Sequence, residues 1–316
     1  MDMMDLPLRV TRMTWEAEGV AGVRLSAPDG RPLPPWEPGA HIDVRLPSGL
    51  TRQYSLCGDP RERRHYTIAV RLVAAGRGGS AEIHGTALVG RELVVTGVGN
   101  HFPLGDADEY LLIAGGIGIT PLLPMARVLA ARRATWTAVY CGRGAATMPF
   151  RSELAATGAD RVRFVDTATE PRPDLKALIG GLGASAAVYC CGPNNLLDSV
   201  TEICAATGIS CETEHFGAAA PSSGTGDGEA VELELRRSGT TVLAAPETTL
   251  LQAIRNAGVD IESDCEEGYC GTCETRVLDG VPDHRDVVLS KAERASGRTF
   301  LPCVSRSHGH KLILDL

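Results

Sequence analysis

The chain reads as a multidomain protein of the α/β plus β class: an antiparallel β-barrel, a parallel α/β domain and a small C-terminal β domain. Three observations predict this. Short period-two apolar runs give way near Glu109 to apolar strands alternating with helix-length segments, and a cysteine-rich loop follows a stretch of small residues.

Up to about Phe102 the apolar runs are separated by Gly or Pro. In residues 41–46, Ile42, Val44 and Leu46 share one face, and residues 66–71 repeat the pattern, which predicts an antiparallel barrel. From Glu109, strands at 110–114, 135–140, 161–165, 186–190 and 210–216 alternate with helical segments such as 122–133 and 195–206. Such crossovers imply a parallel sheet covered on both faces. Residues 218–228 (AAAPSSGTGDG) are small, polar or turn-forming and predict a flexible linker. Beyond it, 231–235 alternates, Ser238-Gly239 turns the chain, and Thr249 caps a helix with Leu250, Ile254 and Ala257 on one face. A closing strand is expected at 311–316. The expected boundaries are 1–103, 104–217, a linker at 218–228, and 229–316.

Of the 316 residues 43% are hydrophobic and 22% charged, which excludes a disordered or collagen-like chain. A net charge of -8 argues against general affinity for nucleic acid or anionic membrane. The start of the chain is acidic and lacks the pattern of a signal peptide, and the uncharged stretches 110–126 and 177–197 are broken by Gly and Pro. Neither reads as a membrane span, so a cytoplasmic protein is expected. Ten cysteines are then thiols or metal ligands rather than disulfides. No internal repeat of 20 to 50 residues is present.

The sharpest motif is Cys265, Cys270 and Cys273 in one loop with Cys303 separate. This C-x4-C-x2-C…C spacing is recognised as that of plant-type 2Fe-2S ferredoxins. Four thiolates must hold two irons in a tightly wrapped loop, where Gly268 and Gly271 let backbone N–H groups turn toward the sulfurs. A structural zinc site would instead pair two short hooks. Cys57, Cys141, Cys190, Cys204 and Cys211 read as small buried hydrophobes, with Cys191 the exception to watch.

Two further groups bear on nucleotides. Arg52 offers a fork for a phosphate, Tyr54 a ring to lie on a flavin and Ser55 a hydroxyl for a ring nitrogen; the Gly78-Gly79-Ser80 turn, opening a helical segment at 81–88, presents N–H groups. Taken alone, Arg-x-Tyr-Ser occurs by chance and such a turn is often only a turn. Gly115-Gly116-Ile117-Gly118-Ile119-Thr120-Pro121 follows an apolar strand and opens a helix, with Pro121 suited to its first position. The third glycine of GxGxxG is missing. A second turn, Cys191-Gly192-Pro193, ends a later strand, where open α/β sheets bind ligands.

These four motifs, in this order and across essentially the whole chain, resemble the phthalate dioxygenase reductase family of the ferredoxin reductase superfamily. The resemblance implies a flavin-binding barrel, a nucleotide-binding α/β domain and a C-terminal β-grasp 2Fe-2S ferredoxin domain. It further implies FMN rather than FAD, because related reductases with an N-terminal ferredoxin are mostly FAD enzymes. By position it assigns Arg52, Tyr54, Ser55, Ala69, Val70, Arg71, Gly78, Gly79, Ser80, Ala81, Thr120 and Phe216 to the flavin. It assigns Gly115, Gly116, Gly118, Cys191, Gly192 and Pro193 to NADH, with Ser55 and Cys191 at the hydride-transfer position. Phe216 is expected to end the last strand of the α/β domain.

The implied activity is an NADH-dependent reductase component serving a terminal oxygenase, of Rieske type. No general base is expected, since the protein positions and tunes its cofactors. A haem-thiolate monooxygenase partner is the alternative within the enzyme class, and an electron carrier or redox sensor without turnover is the alternative outside it. Arg143 suits a 2′-phosphate, a ribose or solvent equally, while the resemblance favours NADH. Asp260, Glu262, Asp264, Glu266 and Glu267 form either a docking surface for a basic partner or a solvated face. Residues 229–316 carry 15 acidic and 10 basic residues, which favours docking.

Overall fold

The computed structural model describes residues 5–73, 78–216, 230–263, 266, 268, 271–286, 289 and 291–316. The chain divides into two compact units, Met1–His215 and Phe216–Leu316. The linker expected at 218–228 lies outside the described residues.

The first unit opens with β1 (Leu6–Ala17), β2 (Val20–Ser26), β3 (Ala40–Arg45), β4 (Thr51–Ser55), β5 (Tyr66–Arg71), α1 (Gly79–Gly85) and β6 (Glu92–Asn100). Alternation of apolar and polar residues gives each strand one buried face, and the strands pair antiparallel in the order β4-β3-β6-β1-β2-β5. A bridge between Leu56 and Ile68 brings the two edges together, and Cys57 N–H donates to Thr67 O at 2.9 Å. The sheet thus closes as the expected barrel. Ile42 and Val44 are wholly enclosed, each stabilising by roughly 1.5–3 kcal/mol.

Next come β7 (Glu109–Gly115), α2 (Ile119–Ala131), β8 (Thr135–Gly142), α3 (Arg151–Thr157), β9 (Val162–Asp166), α4 (Leu175–Gly180), β10 (Ala186–Gly192), α5 (Asn194–Thr207) and β11 (Ser210–His215). All five strands are parallel, in the order β11-β10-β7-β8-β9. The strand order reverses between β7 and β10, and that crevice is where such sheets bind ligands. Arg127 of α2 ties this sheet to the barrel: its Nη1 donates to the carbonyls of Cys57 and Gly58 at 2.7 and 2.6 Å, while Nη2 pairs with Glu153.

Three local expectations are corrected. A 3-10 turn over Gly116–Gly118 starts α2 at Ile119, so Pro121 is the third helical residue. Its missing N–H costs nothing there, because the first four N–H groups of a helix have no intrahelical partner. The helix α1 ends at Gly85 rather than at Leu88. The last parallel strand ends at His215, leaving Phe216 beyond it.

The second unit holds β12 (Val231–Leu235), β13 (Thr240–Ala244), α6 (Leu250–Asn256), β14 (Thr275–Asp279), β15 (Pro282–Asp283), α7 (Lys291–Ser296), β16 (Thr299–Phe300), β17 (Arg306–Ser307) and β18 (Lys311–Leu314). Its main sheet runs β13-β12-β18-β14-β16, with β12 and β18 parallel at the centre, the β-grasp arrangement. Thr249 caps α6 as expected, its hydroxyl accepting from Gln252 N–H at 3.1 Å. Leu250 and Ile254 enter the core, while Ala257 falls at the C-cap. Among the described residues no helix is long and apolar enough to cross a membrane.

Candidate functional site

The loop after β7 and the turn after β10 meet backbone to backbone at the reversal point of the sheet. A Cβ on Gly118 would lie 2.2 Å from the Cys191 carbonyl oxygen, and one on Gly115 would lie 2.6 Å from Pro193 Cδ. Only glycine fits either position. Gly116 adopts φ +56°, and its carbonyl accepts from the buried Tyr140 hydroxyl at 3.0 Å. Two full helices, α2 and α5, therefore open side by side at one crevice, and the positive ends of their dipoles suit a dinucleotide pyrophosphate. Thr120 Oγ1 donates to Ile117 O at 3.0 Å and holds the loop's curvature.

On the barrel, the closing contact sets β4 beside β5, which brings Arg52, Tyr54 and Ser55 near Ala69, Val70 and Arg71. Gly78 enters α1 at φ +87°, and a Cβ on Gly79 would lie 2.7 Å from Arg52 Cγ, so the glycine turn rests on the arginine stem. Ser80 Oγ accepts from Val73 N–H at 3.1 Å, His84 Nε2 bonds Val70 O at 2.9 Å, and Ala81 is exposed. The expected phosphate fork and phosphate turn are in this way adjacent. Tyr54 is half-buried, and burial pushes its phenol up to about 12, so it stays a neutral ring at physiological pH.

Between barrel and sheet, Ser55 Oγ donates to Glu214 Oε2 at 3.4 Å. Glu214 is the register partner of Cys191 on β11. Burial pushes its carboxyl up to about 8, partly opposed by the Ser55 hydrogen bond. Cys191 is wholly buried, and burial with the neighbouring Glu214 holds its thiol well above the ordinary range, so it is an uncharged thiol and no nucleophile. Sequence reasoning missed Glu214. The available signal was an acidic residue two positions before Phe216, in a strand ending at the binding edge. Burial likewise raises the Cys57, Cys141, Cys190, Cys204 and Cys211 thiols, in keeping with inert core residues.

Cys273 and Cys303 lie buried in the core of the second unit; Cys265 and Cys270 are outside the described residues. Gly268, which lies between Cys265 and Cys270 in sequence, packs against the residue after Cys303: a Cβ on it (φ +79°) would lie 2.6 Å from Val304 Cγ2. Gly271 is also left-handed, at φ +81°. Two buried thiols, Cys273 beside the glycine turns and Cys303 on the segment that Gly268 contacts, fit part of the donor set of a 2Fe-2S cluster. Among the described residues no three ligand side chains gather, since two of the four expected ligands are not among them. In the acidic stretch, Asp260 and Glu262 are exposed, whereas Glu266 pairs with Arg255 Nη1 at 2.6 Å; Asp264 and Glu267 lie outside the described residues.

Comparison with known proteins yields the same combination. The family described as the 2Fe-2S iron-sulfur cluster binding domain matches residues 233–308. Phenoxybenzoate dioxygenase subunit beta of Ectopseudomonas oleovorans is 42% identical over 99% of this chain and 98% of that protein. The solved structure of phthalate dioxygenase reductase, described as modular for electron transfer from pyridine nucleotides to 2Fe-2S, matches with TM-score 0.81 at 35% identity, covering 99% of this chain and 98% of that one. An intact type IV self-sufficient cytochrome P450 monooxygenase matches with TM-score 0.75 at 40% identity; this chain is covered to 99% but spans only 41% of that longer one.

Proposed function

Because the chain belongs to the phthalate dioxygenase reductase-type family, we propose that it is an NADH-dependent reductase component that passes electrons through FMN and a 2Fe-2S cluster to a separate Rieske-type oxygenase. The observation that carries this reading is the Ser55–Glu214 hydrogen bond, which joins the barrel to the sheet beside Cys191, at the same crevice onto which the Gly115–Gly118 loop opens. When bound, a flavin accepts electrons in pairs and releases them singly, while a 2Fe-2S cluster carries one at a time.

The residues divide that work. Arg52 and the Gly78–Ala81 turn hold the flavin phosphate, and Tyr54, Ala69, Val70, Arg71, Thr120 and Phe216 frame its ring. The Gly115, Gly116 and Gly118 loop, with Gly192 and Pro193, seats the nucleotide. Ser55 and the neutral Cys191 thiol flank the hydride path, and the Glu214 carboxyl orients the Ser55 hydroxyl. On the edge strand of the sheet, Asp166 closes β9 with Oδ2 3.9 Å from a Cβ built on Gly144, while Arg143 is exposed. An acid there suits a ribose hydroxyl better than a 2′-phosphate, favouring NADH. Cys265, Cys270, Cys273 and Cys303 hold the cluster.

A haem-thiolate oxygenase partner is the second reading, favoured by the match to the reductase-sized part of a self-sufficient cytochrome P450 chain. Three modules at 1–103, 104–217 and 229–316, joined by a linker at 218–228, complete the proposal, together with a cytoplasmic setting; limited proteolysis within 218–228 tests the linker.

The deciding experiment is an anaerobic visible spectrum before and after NADH. Flavin and cluster bands that both bleach are expected. Protein reconstituted with FMN, iron and sulfide that shows neither band overturns the reading. Sustained NADH-dependent cytochrome c reduction separates a reductase from a carrier without turnover, and reconstitution with Rieske or haem-thiolate oxygenases separates the two partner classes.

A further inference from the structure

A carboxylate enclosed in protein is costly unless it is paired, and beside a redox centre it also acts through a low dielectric. Asp286 is such a group. Its side chain has 0% exposure. Oδ2 accepts Leu289 N–H at 2.8 Å and lies 3.5 Å from Arg294 Nη2, which also donates to the Asp286 carbonyl at 2.7 Å. On the other side, His284 Nδ1 lies 3.7 Å from Oδ1.

The segment bearing Asp286 is pinned between the two stretches that supply the cluster ligands. Asp283 pairs with Arg306 in the β15–β17 ladder, and Arg285 N–H donates to Ser305 Oγ at 3.2 Å, just past Cys303. Toward the three-cysteine loop, a Cβ on Gly268 would lie 3.3 Å from Asp286 Cα. The backbone at Asp286 thus stands against Gly268, between Cys265 and Cys270 in sequence, and its neighbours bond the Cys303 segment, while the buried carboxylate faces the partly exposed Arg294 guanidinium.

We propose that Asp286 and Arg294 are positioning residues that set the reduction potential of the cluster with opposite signs; this rests on the 2Fe-2S reading of the four cysteines. One electron enters the centre, with no bond made or broken, and adds negative charge. The Asp286 carboxylate opposes that charge and Arg294 favours it, since net charge and hydrogen bonding near the sulfurs tune such centres. The pair is not used by the flavin or nucleotide chemistry, and its role is confined to the last internal transfer.

The test is the midpoint potential of the full-length holoprotein, measured by anaerobic dye-coupled titration, with iron and sulfide content as the control. Asp286→Asn keeps the shape and the Leu289 acceptor; it is expected to raise the potential by about three- to tenfold in the one-electron equilibrium, roughly 30–59 mV. Arg294→Gln is expected to lower it by a smaller factor, because that side chain is 37% exposed. Opposite shifts are what a purely packing role would not produce. Unmoved potentials, or shifts of one sign in both fully loaded variants, overturn the proposal. If Asp286→Asn fails to load iron, Arg294→Gln decides alone: a fall supports the proposal, and no change or a rise refutes it. Unaltered protein that takes up no iron and sulfide sinks the cluster reading itself, a different result from a loaded cluster with an unmoved potential.

Discussion

Replacing Glu214 by Gln preserves the side chain's shape and its acceptor for Ser55 Oγ while removing one titrating proton. In the folded protein the carboxyl titrates at about 8, against an ordinary 4.5, because it is desolvated between the barrel and the sheet. The folded state therefore binds this proton more tightly than the unfolded state does. The resulting stabilisation is fully present below the unfolded value and is lost as pH rises toward 8. From about pH 5.5 to 7.5 the two values give a loss of about 2.5 kcal/mol, at 1.36 kcal/mol per unit. The substituted protein lacks that contribution. Urea unfolding of flavin-free protein followed by tryptophan fluorescence is the assay, because Trp15, Trp36 and Trp136 all lie in the first unit and report on it alone. The stability gap between Glu214→Gln and the unaltered chain should widen by about that amount across the window, in favour of the substitution. A gap that does not change with pH would refute the buried, proton-holding carboxyl.

Other residues give equally direct tests. Gly118→Ala places a methyl 2.2 Å from the Cys191 carbonyl oxygen and must part the two loops; KM for NADH should rise at least ~10-fold with flavin content unchanged, and an unaltered KM would contradict the contact. Arg52→Ala removes both the phosphate fork and the stem on which Gly79 rests. Flavin retention, measured by equilibrium dialysis, should weaken by about 10- to 100-fold, the range of a charge-assisted hydrogen bond. Cys303→Ser should abolish the cluster bands and bound iron while NADH still bleaches the flavin; loss of flavin reduction as well would show that the second unit is needed for hydride transfer.

Strands with strict alternation were legible to the residue: Tyr66–Arg71 and Val231–Leu235 occupy the spans that their period-two patterns predict. Elements bounded by glycine were less so. β8 and β10 extend through Gly142 and Gly192 because their parallel neighbours, Asp166 and His215, still pair with them there. Proline misled at α2, since its preference for the first helical position says nothing of the 3-10 turn that starts the helix early. The glycine loops could be recognised from local composition because each is locally constrained. Glu214 offered only its place two residues before Phe216, since what distinguishes it is a serine 159 residues away and the burial their meeting creates. Asp286 was hidden for a different reason: its partners Leu289 and Arg294 are near in sequence, and only its complete burial sets it apart from other surface-type acids.

The parallel pairing of β12 with β18 has a bearing on assembly. These two strands stand at opposite ends of the second unit's sequence, yet they form its central ladder, and Leu233, Leu312 and Leu314 are wholly enclosed there. The same core encloses Cys273 and Cys303, which lie between the two strands in sequence. Closing so long a loop is slow compared with local helix and hairpin formation. Cys273 and Cys303 therefore share a core whose central ladder is completed only when β18 pairs with β12. A chain interrupted before β18 would lack half of that ladder, and with it the Leu312 and Leu314 side chains packed into the core that holds both thiols.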